Sequence, residues 1–378
     1  MKFQIQRDRL VDGVNDVIKA VSSRTAIPIL SGIKITAHEE GITLTGSDSD
    51  ISIESFIPKE EDGKEIVHVE ETGGIVLQAR FFESIVKKLP LDTVEIEVHS
   101  HLQTVIRSGK SEFNLNGQDV REYPHLPEIE EDSVLKIPTN LLKTIIRQTV
   151  FAVSTSETRP ILTGVNWTVE DGTLNCVATD SHRLAMRKAP VSGGNGEPYK
   201  AVIPGKSLNE LNKILEDTAD ETEIVMTENQ VLFRSKHVLF FSRLLEGNYP
   251  DTSRLVPSES KTSMTVGGKE FLQAIDRASL LAREERNNVV KLLISEDGNV
   301  QISSNTPEIG KVVEEIQSDE TTGEALTISF SAKYMMDALK VLEGTETNIQ
   351  FTGAMRPFVL RPTADDSILQ LITPVRTY

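Results

Sequence analysis

Cysteine is almost missing from this chain: Cys176 is the one such residue in 378. A lone thiol excludes an internal disulfide and a CxxC motif, and it suits a reducing cytosol. Cys176 lies in an apolar, strand-like run, which predicts a buried packing role. Long hydrophobic runs are missing as well. No stretch approaches the roughly 18 apolar residues that a membrane span requires. The N-terminal Met-Lys-Phe-Gln-Ile-Gln-Arg alternates like a strand and lacks the apolar core of a signal peptide. A cytoplasmic protein is the expectation. GxSxG, HExxH and GxxxxGK[ST] do not occur, which removes the common nucleophile, metalloprotease and phosphate-cradle templates. The seven histidines, at 38, 68, 99, 101, 125, 182 and 237, are scattered without zinc-ligand spacing, and His99 and His101 around Ser100 are a weak pair. No metal and no cofactor is expected.

Positive charge is also scarce, with 40 Lys and Arg against 57 Asp and Glu, a net −17. Taken alone, that balance argues against a polyanionic partner. The distribution of the charge points the other way. Six windows with helical spacing, 10–21, 80–89, 141–151, 206–215, 270–286 and 333–342, carry a net +4, which leaves −21 for everything else. Acid gathers in turns and connectors at 59–62, 128–132, 217–223 and 319–324. For any one helix such a bias is an ordinary solvated face. Shared by six, it predicts one neutral-to-basic surface on an otherwise acidic protein.

What the sequence does contain is a plan used three times. The stretch 141–186 shows it best. Apolar residues at 141, 142, 145, 146 and 150, with Lys143 and Arg147 between them, mark an amphipathic helix. A polar loop, 154–159, leads into a strand-like Pro-Ile-Leu-Thr-Gly-Val-Asn-Trp at 160–167. Asp171-Gly172 then turns a hairpin into a returning run with Thr-Asp-Ser-His-Arg-Leu. The first third repeats this with a helix at 10–21, a strand-like Ile-Pro-Ile-Leu-Ser-Gly-Ile at 27–33, a turn at Glu40-Gly41, and Ser47-Asp48-Ser49 in place of Thr179-Asp180-Ser181. The last third has a helix at 270–282, a polar loop at 283–288, a strand at 289–294 and a turn at Asp297-Gly298.

A second helix keeps the same phase, starting at Arg80, Lys206 and Lys333, each time on a basic residue. Two landmarks in register over three copies predict an α+β protein of three repeated domains, 1–127, 128–252 and 253–378. Tyr123-Pro124 and Tyr249-Pro250 mark the connectors. Gly193-Gly194-Asn195-Gly196 reads as a flexible surface loop.

Asp180-Ser181-His182-Arg183 is the one tight polar group. Neighbours on a strand point to opposite faces, so Ser181 and His182 make a poor nucleophile–base pair. A solvated hairpin end is the plain account. A partner-binding rim is the sharper one, because the first and third copies carry no His-Arg at this place.

Ser-Arg-Thr-Ala-Ile-Pro-Ile-Leu (23–30), Ala-Thr-Asp-Ser-His-Arg-Leu-Ala (178–185), Gly-Asn-Tyr-Pro-Asp (247–251) and Pro-Val-Arg (374–376) closely resemble the bacterial DNA polymerase III beta subunit family, the sliding clamps. The likeness spans the chain and keeps the order of its three parts. It implies three DNA-clamp domains per chain and a head-to-tail homodimer closed into a ring, helices lining the hole and sheets outside. The implied partners are double-stranded DNA held topologically and without base readout, a clamp loader, and a replicative polymerase with other proteins bearing the clamp-binding motif. No membrane is among them.

The family's DNA-contacting positions match Arg24, Arg80, Lys206 and Tyr334, with Arg286 where the family has an aromatic residue. Its partner-peptide pocket maps onto Leu162, Thr179, Ser181, His182, Arg183, Leu184, Pro250, Arg254, Leu255, Pro357, Leu371, Pro374, Val375 and Arg376. The chain departs from the family in its Val-Arg-Thr-Tyr end, at the pocket's outer edge. Phe113 and Leu115 against Leu280 and Leu281 match the dimer contact, with core packing as the competing account. The expected function is a processivity clamp with no catalytic residues. Two rivals stand beside it: a hydrolase built on Asp180 and His182, and a repeat scaffold that binds proteins and not DNA.

Overall fold

The computed structural model describes residues 1–22, 24–126, 133–282, 288–307, 309–342 and 344–376. Its helices are α1 (Arg7–Val17), α2 (Ala79–Val86), α3 (Thr139–Thr149), α4 (Gly205–Ile214), α5 (Gly268–Ser279) and α6 (Ala332–Val341). Each of the six predicted windows contains most of one of these helices. The first helix of each copy starts two or three residues before its apolar period, because polar first turns such as Arg7-Asp8-Arg9 carry no periodic signal. Among the described residues no helix is long and apolar enough to cross a membrane.

By compactness the chain divides into two units, not three. One comprises 1–140, 192–195 and 210–244; the other comprises 141–191, 196–209 and 245–378. Sheet hydrogen bonding explains the difference from the repeat count. In the first unit, Val238–Arg243 of the middle copy pairs antiparallel with Ile51–Pro58 of the first, making one nine-stranded sheet. In the second unit, Arg183–Pro190 of the middle copy pairs antiparallel with Ile368–Ile372 of the last, making another. A ladder joined across a copy boundary is continuous backbone bonding, so compactness follows the sheet and not the repeat. The first unit also holds a five-stranded sheet edged by Ser111–Asn116, and the second a four-stranded sheet edged by Gly310–Ile316.

Each unit has its own core. In the second, α5 and α6 bury Phe271, Ile275, Met335 and Leu339 with Val290, Leu292, Phe330 and Phe358 from the sheets. Phe358 packs against Phe330 and Phe351 with ring centroids 5.4 and 5.2 Å apart. Each such side chain removed from water contributes about 1.5–3 kcal/mol. Cys176 is fully buried, and burial raises its thiol pKa well above the ordinary value, so it is a packing residue.

Two expectations need correction. Ile27–Ile33 and Pro160–Trp167 do not run as continuous strands; Pro28–Ser31 and Pro160–Thr163 are short 3-10 helices that precede Gly32–His38 and Gly164–Glu170. Proline at the first position fixes a helical φ. Ser31 and Thr163 hydroxyls then donate back to the Pro28 and Pro160 carbonyls, both at 2.7 Å. The glycine-rich stretch is also more ordered than a loop, since Ser192–Gly193 pairs with Val134–Pro138 as an edge strand.

Candidate functional site

The Asp180–Arg183 group turns the hairpin between Thr173–Thr179 and Arg183–Pro190. Ser181 takes φ +78°, which lets the Asp180 carboxylate fold over the turn. Asp180 Oδ1 accepts from the backbone N–H groups of His182 (2.9 Å) and Arg183 (3.1 Å). The other oxygen accepts from Arg183 Nε at 3.1 Å. Asp180 is thus consumed in holding the turn, and its contact with His182 is to the backbone, not the ring. The His182 ring instead stacks on Tyr334, with centroids 6.4 Å apart and planes at 19°. That geometry offers no acid–base pair, and the hydrolase reading loses its residues.

Arg183 is the hub of the site. It is only 8 % exposed. Besides Asp180, it donates to Asp337 Oδ2 and to the Phe151 carbonyl, each at 2.7 Å. Its guanidinium lies over the Phe151 and Tyr334 rings. A buried guanidinium needs this saturation, because an unpaired charge out of water is costly. Burial pushes the Asp337 carboxyl up, but bonds from Arg183 and Lys333 outweigh it and hold the pKa below the usual value. Burial raises the Tyr334 phenol, and the nearby Asp180 carboxylate adds to the shift.

On the face of the sheet opposite the Arg183 side chain lies an apolar floor of Leu162, Val177, Leu184, Val202, Tyr249, Val359, Leu369 and Leu371. Tyr249 joins floor to turn, its hydroxyl accepting from the Thr179 N–H at 3.0 Å. Thr179 Oγ1 donates to the Arg183 carbonyl at 2.6 Å and closes the turn from below. The C-terminal segment runs alongside: the Thr373 N–H donates to the His182 carbonyl at 2.9 Å, and the Val375 N–H to the Ser329 carbonyl at 2.7 Å. Pro357, Pro374 and Val375 are half-buried, while Pro250, Arg254 and Arg376 stand exposed. Leu255 keeps 46 % of its surface in water, a large apolar side chain left free.

The structure therefore brings Leu162, Thr179, Ser181, His182, Arg183, Leu184 and Leu371 together with the tail. Sequence reasoning missed Phe151, Tyr249 and Asp337, which complete the site. It also grouped Tyr334 with the DNA contacts, whereas the ring stands against His182 and Arg183. The two-residue Tyr-Pro step was a usable signal for Tyr249; Phe151 and Asp337 left none, being distant in sequence.

Arg24, Arg80 and Lys206 are exposed, and none forms an ion pair among the described residues. Arg80, Lys206 and Lys333 are each the second residue of their helix, α2, α4 and α6. Arg286 lies outside the described residues, as do Thr377 and Tyr378. Phe113 is 38 % and Leu280 56 % exposed, so core packing does not account for these two, while Leu115 and Leu281 are half-buried. Phe113 and Leu115 belong to the edge strand Ser111–Asn116. Among the described residues no group of His, Cys, Asp and Glu is placed to hold a metal ion.

Family models of the DNA polymerase III beta subunit match the chain along its length: the N-terminal domain at residues 1–127, the central domain at 136–251 and the C-terminal domain at 253–376. The chain is 68% identical over 378 residues to the beta sliding clamp of Bacillus subtilis (strain 168), with all of both chains covered. It is 58% identical over 380 residues to that of Halalkalibacterium halodurans, again across both chains. The crystal structure of the DNA polymerase sliding clamp from Bacillus subtilis superposes with a TM-score of 0.97 at 67% identity, covering 100% of each chain.

Proposed function

The chain belongs to the DNA polymerase III beta subunit family, and from that membership we propose that two copies close head to tail into a ring around duplex DNA. It is a DNA sliding clamp, a processivity factor that does no chemistry of its own. Tethering keeps the polymerase at a high effective concentration near its template, so that a dissociation event is not followed by escape.

The observation that carries the reading is the cation repeated at one position of three helices, Arg80, Lys206 and Lys333, on a protein of net charge −17. Widely spaced cations on repeated elements meet phosphates without reading bases, which favours sliding over gripping. Arg24 joins them in this proposal. The apolar residues Phe113 and Leu115 of one copy, against Leu280 and Leu281 of a second, are the proposed closing contact; a heterologous pairing of this kind closes only if its rotation does. The apolar floor beside the Asp180 turn, with Leu255 and the tail, is the proposed seat for the polymerase and other proteins with a short clamp-binding peptide. A clamp loader is the remaining proposed partner, and the cytoplasm the proposed location.

The deciding experiment is retention on DNA. Given a clamp loader and ATP, the protein is expected to stay on a nicked circle and to leave when the circle is cut open. Replacing Arg24, Arg80 and Lys206 together should impair loading and flatten its salt dependence. Equal retention on linear and circular DNA would overturn topological tethering.

A further inference from the structure

The site around Asp180 has a counterpart built by the first copy and the second half of the middle copy. Two backbone facts fix the correspondence. Asp48 Oδ1 accepts from the N–H groups of Asp50 (2.7 Å) and Ile51 (2.8 Å), as Asp180 does from His182 and Arg183. The Arg243 N–H donates to the Asp50 carbonyl at 2.9 Å, as Thr373 does to His182. Strand register then pairs Ser47 with Thr179, Ser52 with Leu184, and Phe241 with Leu371. Leu30 takes the place of Leu162 and Tyr123 that of Tyr249, each buried as its equivalent is.

This second place is hollow. A cavity of about 330 Å³ opens there, with Ile27, Leu30 and Phe241 as its apolar wall and Asp48, Asp50 and Arg243 among its polar groups. Ile27 keeps 47 % of its surface exposed. The chemistry differs from the first site in one decisive respect. Where the middle copy has Arg183, the first has Ile51, which is buried. Asp180 is paired by a guanidinium; the outer oxygen of Asp48 takes no bond from any described residue, and no described Lys or Arg pairs with it. The lining carries two carboxylates against one guanidinium, so its balance is negative.

We propose that this cavity is a second peptide-docking site, whose occupant is a short extended segment with an aliphatic anchor beside an arginine. The anchor fills the space between Ile27, Leu30 and Phe241. The ligand's guanidinium meets the free Asp48 oxygen, supplying from outside the cation that Arg183 supplies from within at the first site. Substitution of Ser52 for Leu184 leaves a smaller apolar floor, which suits one anchor and not two. The proposal rests on reading the Asp180 site as a peptide pocket, since the two share one backbone frame.

The test uses the full-length protein and an acetylated, amidated pentapeptide carrying a photoreactive leucine next to an arginine. Irradiation is expected to give adducts within residues 27–30 and on Phe241. By calorimetry, Asp48→Asn keeps the turn's acceptor, and thermal unfolding checks that it folds; it should weaken the pentapeptide about tenfold and leave a polymerase tail peptide unaffected. Adducts at the Asp180 site, no adducts at millimolar peptide, or undiminished affinity in Asp48→Asn would each overturn the proposal. Failure of the first-site reading looks different: the tail peptide would then be indifferent to Leu255→Asp.

Discussion

The guanidinium carbon of Arg183 lies 4.6 Å from the centroid of the Tyr334 ring. One side chain thereby ties a hairpin turn to α6, because the same guanidinium also bonds Asp180 and Asp337. Removing it leaves Asp337 with Lys333 alone and Asp180 with only the turn's N–H groups. Arg183→Ala should therefore cost on the order of 3 kcal/mol in urea unfolding. A loss under about 0.5 kcal/mol, the range of an ordinary surface change, would show that the network is not structural. Tyr334→Ala distinguishes two assignments of the ring. As a rim residue it should weaken a polymerase tail peptide and leave loading onto DNA intact; the reverse pattern would restore it to the DNA contacts.

Leu255 and the tail offer a cleaner handle on the proposed peptide seat than the buried floor. Leu184 is 1 % exposed, so a charge there would unfold the sheet before it reported on binding. Leu255→Asp, or truncation after Thr373, should lower tail-peptide affinity by about 2 kcal/mol, roughly thirtyfold. Calorimetry is the measurement, and light scattering on the same samples should show assembly unchanged.

Assembly has its own test at Leu280, which is 56 % exposed, so a charge there is expected to leave the fold intact. Wild type at micromolar concentration should scatter as a particle near twice 41.8 kDa. Leu280→Asp should scatter as a single chain with an unaltered circular dichroism spectrum. A wild-type monomer would end the ring proposal.

Asp16 of α1 sets a pH dependence. It lines a cleft of about 340 Å³ with Asp12, Glu61, Ile57, Leu211 and Phe240. Burial raises its pKa from 3.8 to about 6; Lys19 pulls it down, and Asp12 and Glu216 push it up. The folded chain therefore holds this proton to about pH 6, while the unfolded chain releases it near 3.8. Between those values the folded state binds more protons, so this group's contribution to stability falls as pH rises and is lost above pH 6. Asp16→Asn should gain on the order of 2 kcal/mol over wild type at pH 7 and little at pH 4, read from urea midpoints. A gain independent of pH would assign the effect to packing.

The threefold plan, the six helices, the buried cysteine and the basic start of each second helix were legible in sequence. All depend on local spacing, and local spacing is what 3.6- and 2-residue periods record. The family resemblance proposed the candidate pocket, many of whose residues fall in three short motifs. Tertiary structure decided the rest. That Ile27–Ile33 begins as a 3-10 turn follows from hydroxyl bonds a hydropathy pattern does not carry. That Arg183 meets Phe151 and Asp337, 32 and 154 residues away, depends on strands pairing across a copy boundary. And although the exchange of Arg183 for Ile51 is written in the sequence, that it leaves Asp48 bordering an open cavity was decided by the fold, because the cavity's walls come from residues far apart in the chain.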